Sequence, residues 1–331
     1  MEQNLRVAVI GGGSFATALV KILCEKEYPI TWWMRNTMAI QHIKTHHHNL
    51  KYLESVRLDN TKLLLTSDIN KAIRENDVLI FAIPSAFLKD ALVNLKASLK
   101  GKQIITAIKG IVPGENLIVA DYFHQFFQIP FDNIGVITGP CHAEEVALER
   151  LSFLTAASLQ PELREFLVGR LSCNYIKVTP SDDIFGTEYA AVIKNIVAIA
   201  SGMAHALGYG DNFQAVLVSN SLQELKRFVK SVYPIKRDIT DSAYLGDLLV
   251  TAYSQFSRNR TLGSMIGKGY SVRSAMLEMN MVAEGYYAVD CIKKMNKLHD
   301  VKMPICNTVY KILYEGKSPR KRMKMLAGKL S

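Results

Sequence analysis

The chain has 331 residues, 49% of them apolar, and 40 Lys and Arg against 30 Asp and Glu give a net charge of +10. This composition excludes a disordered chain and leaves room for two domains with a large core. Cys24, Cys141, Cys173, Cys291 and Cys306 are odd in number and scattered, which predicts reduced thiols in a cytoplasm rather than a disulfide framework or a zinc site.

MEQNLRVAVI leads directly into a strand and lacks the form of a signal peptide, and no apolar run reads as a membrane span. The strand Leu5 to Ile10 is followed by GGGSFATALVKIL, which gives Gly11-x-Gly13-x-x-Ala16 and then a helical pattern. Strand, glycine turn and helix is the context of a dinucleotide fingerprint. Gly11 permits the tight turn, Gly13 lets the backbone approach a pyrophosphate, and Ala16 is small enough for helix and strand to pack. The helix N-terminus then faces the phosphates.

A second strand is predicted over Ile30 to Met34. Arg35 and Asn36 stand where NAD-preferring sites carry an acidic residue. Arg35 faces a 2′-phosphate of NADP(H), or it is a solvated surface arginine. The histidine run His46 to His48 lies in a polar stretch and predicts an exposed loop or helix end, not a metal site.

Further strands are predicted at Lys62 to Leu65, Asp77 to Ile83, Gln103 to Ile108, Ile134 to Thr138, Leu154 to Ala157 and Tyr175 to Val178. The continuous apolar run DVLIFAI belongs in a sheet buried on both faces. Pro84-Ser85, Lys109-Gly110 and Gly139-Pro140 stand at carboxyl ends of strands, where open α/β sheets bind ligands. Residues 1–180 are therefore expected to form one doubly wound dinucleotide-binding domain.

After Pro180 helical periodicity dominates, including Phe213 to Val232 and Val272 to Leu298, so residues 181–331 are expected to be all-helical. Tyr189 to Met203, YAAVIKNIVAIASGM, reads as a buried helix that nonetheless carries Lys194 and Asn195. Either Lys194 snorkels to solvent, or it lines a cleft and its proton does chemistry. In YLGDLLVT, Asp247 stands alone among apolar residues and is a natural partner for Lys194. Ser257-Arg258-Asn259-Arg260 offers a set suited to phosphate, or a surface turn. Gly263, Gly267 and Gly269 predict a bent loop nearby. Residues 317–331 hold Lys317, Arg320, Lys321, Arg322, Lys324 and Lys329, read as a solvated end rather than a nucleic-acid arm.

Taken together, GGGSFATAL, the IPS and KG strand ends, GPCHAEE, VIKNIVAIASG, GDNFQAVL, YLGDLLVT, SRNR and VAEG resemble the NAD(P)-dependent glycerol-3-phosphate dehydrogenases of the bacterial type, through nearly the whole chain. The resemblance implies a Rossmann domain followed by a helical domain. It implies a cytoplasmic homodimer that interconverts dihydroxyacetone phosphate and sn-glycerol 3-phosphate with NAD(H) or NADP(H), for glycerophospholipid synthesis. By the same resemblance Lys194 is the general acid/base, held by Asp247 and Asn195 with help from Thr251. Lys109, Gly139, Ser257, Arg258 and Asn259 bind substrate. Gly11, Gly13, Ser14, Phe15, Arg35, Phe87, Lys109, Ala143, Arg258, Val282 and Glu284 are cofactor positions. The partner is a phosphorylated small molecule, with no nucleic acid, no membrane insertion and no metal.

The sequence departs from the family pattern at Ala16 and Phe15, at Cys141 in place of a hydroxyl, and at Phe213-Gln214 after GDN. Two other readings are a related hydroxyacid or sugar-acid reductase, and a cofactor-binding sensor that does not turn over.

Overall fold

The computed structural model describes residues 5–279 and 281–331. The chain divides into two compact units. One comprises the described residues up to Ile108 together with Val119–Ile184; the other comprises Lys109–Ile118 and Phe185–Ser331.

The first unit is built on one eight-stranded sheet. Its strands are β1 (Val7–Ile10), β2 (Ile30–Trp33), β3 (Leu63–Thr66), β4 (Val78–Phe81) and β5 (Gln103–Thr106), then β8 (Ile134–Thr138), β9 (Ser152–Ser158) and β10 (Ile176–Ser181). β6 (Ile111–Val112) and β7 (Leu117–Ile118) form a separate antiparallel hairpin. The sheet order is β3-β2-β1-β4-β5-β8-β9-β10. Every pairing is parallel except β8 with β9, so the last two strands run against the other six. β1, β2, β4 and β8 are buried along their whole length. This is the reason their sequences read as unbroken apolar runs: helices cover both faces of a parallel sheet. Each predicted strand has its counterpart here, and the order about β1 is that of a Rossmann sheet.

The second unit is helical apart from the β6–β7 hairpin. Its core element is the helix Ile184–Ala206, 23 residues long. By length and composition alone this helix could cross a membrane, which the sequence reading did not anticipate, but 94% of its apolar window is buried inside the protein. Three helices pass close to one another by means of glycines. A Cβ on Gly263 would strike the backbone of Ile199, and one on Gly285 would stand 2.6 Å from the Asn195 carbonyl oxygen. Gly263 and Gly267 thus lie within the helix Arg258–Gly267, not in the bent loop expected there, because their lack of a side chain serves packing.

Two further differences have local causes. The excursion Lys109–Ile118 belongs with the helices because Ile111 and Val112 are fully buried and β6 packs on the helix Glu284–His299. The expected single helix over Val272 to Leu298 is two, Val272–Glu278 and Glu284–His299, with Asn280 outside the described residues. The second helix starts so that the Gly285 N–H, which has no partner within its own helix, donates to Asn259 Oδ1 at 2.9 Å.

Candidate active site

In the sheet unit, β1 ends in a turn at Gly11, whose φ of +138° suits only glycine. A Cβ there would also collide with the Ala82 carbonyl after β4. Gly13 then stands at the N-cap of the helix Ser14–Cys24 and brings no capping side chain. A Cβ on Gly13 would meet open space, so the approach to this helix end is clear, while Ala16 is fully buried. A clear approach, a first glycine that no side chain could replace and a buried small third residue fit a bound pyrophosphate.

Two residues not singled out from sequence fix this turn. Trp32 Nε1 donates to the Gly11 carbonyl at 2.6 Å. Asn49 Nδ2 donates to the Gly12 carbonyl at 3.2 Å and to Thr17 Oγ1 at 2.9 Å. No sequence spacing announces either of them, since both act across the fold. Among the residues predicted for the cofactor, Ser14 is buried, Phe15 half-buried and Arg35 exposed just beyond β2. Asn36, next to it, caps the following helix through Met38 N and Ala39 N, so its side chain is occupied locally. Phe87 (44% exposed) follows β4, Gly139 with φ +112° follows β8, and Ala143 opens the helix after Cys141-His142. These positions share the carboxyl edge of the parallel strands. The His46–His48 run falls at a helix end, with His47 as its left-handed cap.

The helical unit holds the second constellation. Lys194 Nζ donates to Asp247 Oδ2 at 2.5 Å, and the two side chains are only 5% and 2% exposed. Lys194 does not snorkel. Burial, together with the Lys109 ammonium beside it, lowers the Lys194 pKa to about 7, with the Asp247 carboxylate opposing that shift. Asp247 opens the helix Asp247–Tyr253 directly after a π-helical turn, Ser242–Gly246. Thr251 Oγ1 lies 3.5 Å from the other carboxylate oxygen.

Asn195 does not touch this pair through any bond of its own amide. Its Nδ2 donates to the Lys109 carbonyl at 2.6 Å and to the Ala191 carbonyl at 3.1 Å. Its Oδ1 accepts from Asn259 Nδ2 at 2.9 Å. A relay Gly285–Asn259–Asn195–Lys109 therefore holds the loop that carries the second lysine. Asn259 keeps one amide hydrogen outside this relay. Ser257 is buried and caps its helix through Arg260 N at 3.3 Å, and Arg258 is half-buried at the first position of that helix. Glu284 opens the next helix, and Val282 is half-buried just ahead of it. Gln214, one of the sequence departures, is buried and paired with Ser201 through Nε2 to the Ser201 carbonyl at 3.0 Å, so that change is absorbed by the core.

A dinucleotide turn on a Rossmann sheet, with a buried lysine–carboxylate pair in a separate helical unit, defines a nicotinamide-dependent dehydrogenase. The chain matches the description "NAD-dependent glycerol-3-phosphate dehydrogenase N-terminus" over residues 6–164 and the corresponding C-terminus over residues 183–324. It belongs to that family. Glycerol-3-phosphate dehydrogenase [NAD(P)+] of Staphylococcus carnosus (strain TM300) is 32% identical over 326 residues, 98% of each chain. That of Staphylococcus aureus (strain JH9) is 34% identical over 323 residues, 97% of each. Among solved structures, glycerol-3-phosphate dehydrogenase from Coxiella burnetii superposes with a TM-score of 0.89 at 26% identity, covering 98% of this chain and 99% of that one.

Proposed function

We propose that this protein reduces dihydroxyacetone phosphate to sn-glycerol 3-phosphate, reversibly, with residues 1–180 binding NAD(H) or NADP(H) and residues 181–331, together with Lys109, binding the phosphorylated ketone. The observation that carries this reading is the buried Lys194–Asp247 pair with Lys109 beside it. When bound, a reduced nicotinamide supplies the hydride that the ketone carbon takes. Lys194 Nζ–H gives its proton to the ketone oxygen, so the carbonyl becomes an alcohol and the lysine is left neutral. Before that transfer its positive charge stabilises the negative charge developing on the oxygen. A lysine titrating near neutrality serves both directions, as acid in reduction and as base in oxidation. Asp247 keeps the amine oriented and partly charged. Lys109 and Arg258 supply positive charge, and Ser257 and the remaining Asn259 amide hydrogen supply donors, for a phosphate.

The same reading makes the protein a cytoplasmic homodimer whose product feeds glycerophospholipid synthesis. The test is oxidation of NADH and NADPH in parallel by purified protein with dihydroxyacetone phosphate, and with unphosphorylated dihydroxyacetone as control. Turnover of the phosphate ester alone supports the assignment. Cofactor binding without turnover of either ketone would refute it and leave the sensor reading.

A further inference from the structure

The basic segment read from sequence as a solvated end is an ordered element with two distinct faces. Pro319–Ala327 is a helix capped by the Ser318 side chain at Lys321 N. Met323 and Leu326 are buried and anchor it, and the helix packs against Pro304–Leu313 and Arg258–Gly267. Beyond it, Asn220 Nδ2 donates to the Ser331 carbonyl at 2.8 Å. At about 100° of turn per residue, Arg320, Lys324, Lys321 and Met325 share one sector roughly 140° wide, opposite the anchors. All four are exposed, Met325 at 46%. Lys317 and Lys329, also exposed, flank the sector at its two ends. Residues 316–331 contain no Asp or Glu, and none of these cations forms an ion pair among the described residues.

From this face we infer that the protein docks reversibly on an anionic lipid bilayer through the solvent side of the Pro319–Ala327 helix. A rigid row of unpaired cations matches a negatively charged headgroup plane, and each Lys or Arg near such a surface strengthens attachment about fivefold. Met325, among the cations, is an apolar side chain placed to enter the headgroup boundary. The sector offers no aromatic residue on which a nucleic-acid base could stack. A second copy of the chain is a poor occupant, because a two-fold axis through this patch would set cations against cations. Docking of this kind is surface attachment, with every helix of the unit left in place.

The experiment is vesicle co-flotation of the full-length protein, comparing phosphatidylglycerol-containing with pure phosphatidylcholine vesicles across a salt series. The wild-type protein should float with the anionic vesicles only, and less as salt rises. Lys321→Glu/Lys324→Glu should lower that binding at least ~25-fold, two charges at about fivefold each, while turnover and melting temperature stay unchanged. A control, Lys96→Glu/Lys100→Glu, carries the same net charge but changes exposed lysines of the sheet unit and should bind as wild type does. Equal loss in both variants, or binding that survives in the first, would overturn the inference. So would retention by a short DNA duplex in place of the anionic vesicles.

Discussion

Replacing Asp247 by asparagine keeps the shape of the buried pair and removes its negative charge. Lys194 then loses the one influence that raises its pKa, while burial and the Lys109 ammonium continue to lower it. An opposite charge at this separation is worth about one to three pKa units, so the Lys194 pKa should fall that far below about 7. At neutral pH and above, the protonated fraction, and with it kcat/KM for ketone reduction, should drop by about 10- to 1000-fold. The loss should be recoverable. In Asp247→Asn the upper limb of the reduction profile moves to lower pH, and activity returns as the medium is acidified and Lys194 regains its proton. The sign for stability follows from the same proton. The folded variant releases a proton that the unfolded chain keeps up to the ordinary lysine value of 10.5, so stability rises with pH between the lowered folded pKa and that value. The melting temperature of the variant should therefore fall further below wild type in acid than in mild base. The assay is initial rates of NAD(P)H oxidation and of the reverse reaction across pH, with thermal melts in the same buffers. A reduction limb at the wild-type pH, or a rate deficit that acid does not relieve, would refute the role given to the pair.

Lys194→Ala should keep cofactor affinity and lose about 10²- to 10⁴-fold in turnover at every pH, with no recovery in acid; near-normal turnover would end the assignment. Asn259→Ala strands Asn195 Oδ1 and the Gly285 N–H, and each buried polar group left unpaired costs about 1–3 kcal/mol, so denaturant melts should show a loss of about 2–6 kcal/mol together with a raised KM for the ketone phosphate. Arg35→Ser should lower the NADPH-to-NADH rate ratio about tenfold if the guanidinium meets a 2′-phosphate, and an unchanged ratio would make Arg35 a surface residue.

The sheet unit was legible because a parallel sheet imposes a simple code. Runs such as VAVI, ITWW and VLIF have no solvent face, so their burial shows as unbroken apolar sequence, and Gly11 and Gly13 punctuate the first turn. What escaped the reading is what acts at long range. Asn49 and Trp32 stabilise the glycine turn through single hydrogen bonds from 37 and 21 residues away, and nothing in their neighbourhoods signals that duty. The hairpin at 111–118 is absent from the predicted elements, although Pro113-Gly114 and Asn116, with left-handed Gly114 and Asn116, form its turn. Its membership in the helical unit depends on which apolar surface Ile111 and Val112 bury, which no local pattern shows.

The helical constellation was legible for the opposite reason. A charge in an apolar run cannot be explained locally, so Lys194 in YAAVIKNIVAIASGM and Asp247 in YLGDLLVT each demand a partner from elsewhere. The structure supplies that partner at 2.5 Å. The glycines near them carried a different message from the one first read. Gly263 suggests a bent loop by composition, yet it and Gly285 each sit in a helix where a single methyl would collide with the backbone of the Lys194 helix. Close helix approach brings Asn259 within reach of Asn195, and through it steadies the backbone of Lys109. The second lysine is thus positioned by residues 86 and more places away in sequence. A substitution at Gly285 is expected to disturb Lys109 before it disturbs the Lys194–Asp247 pair, since its nearest neighbour is the Asn195 carbonyl and not either charged group.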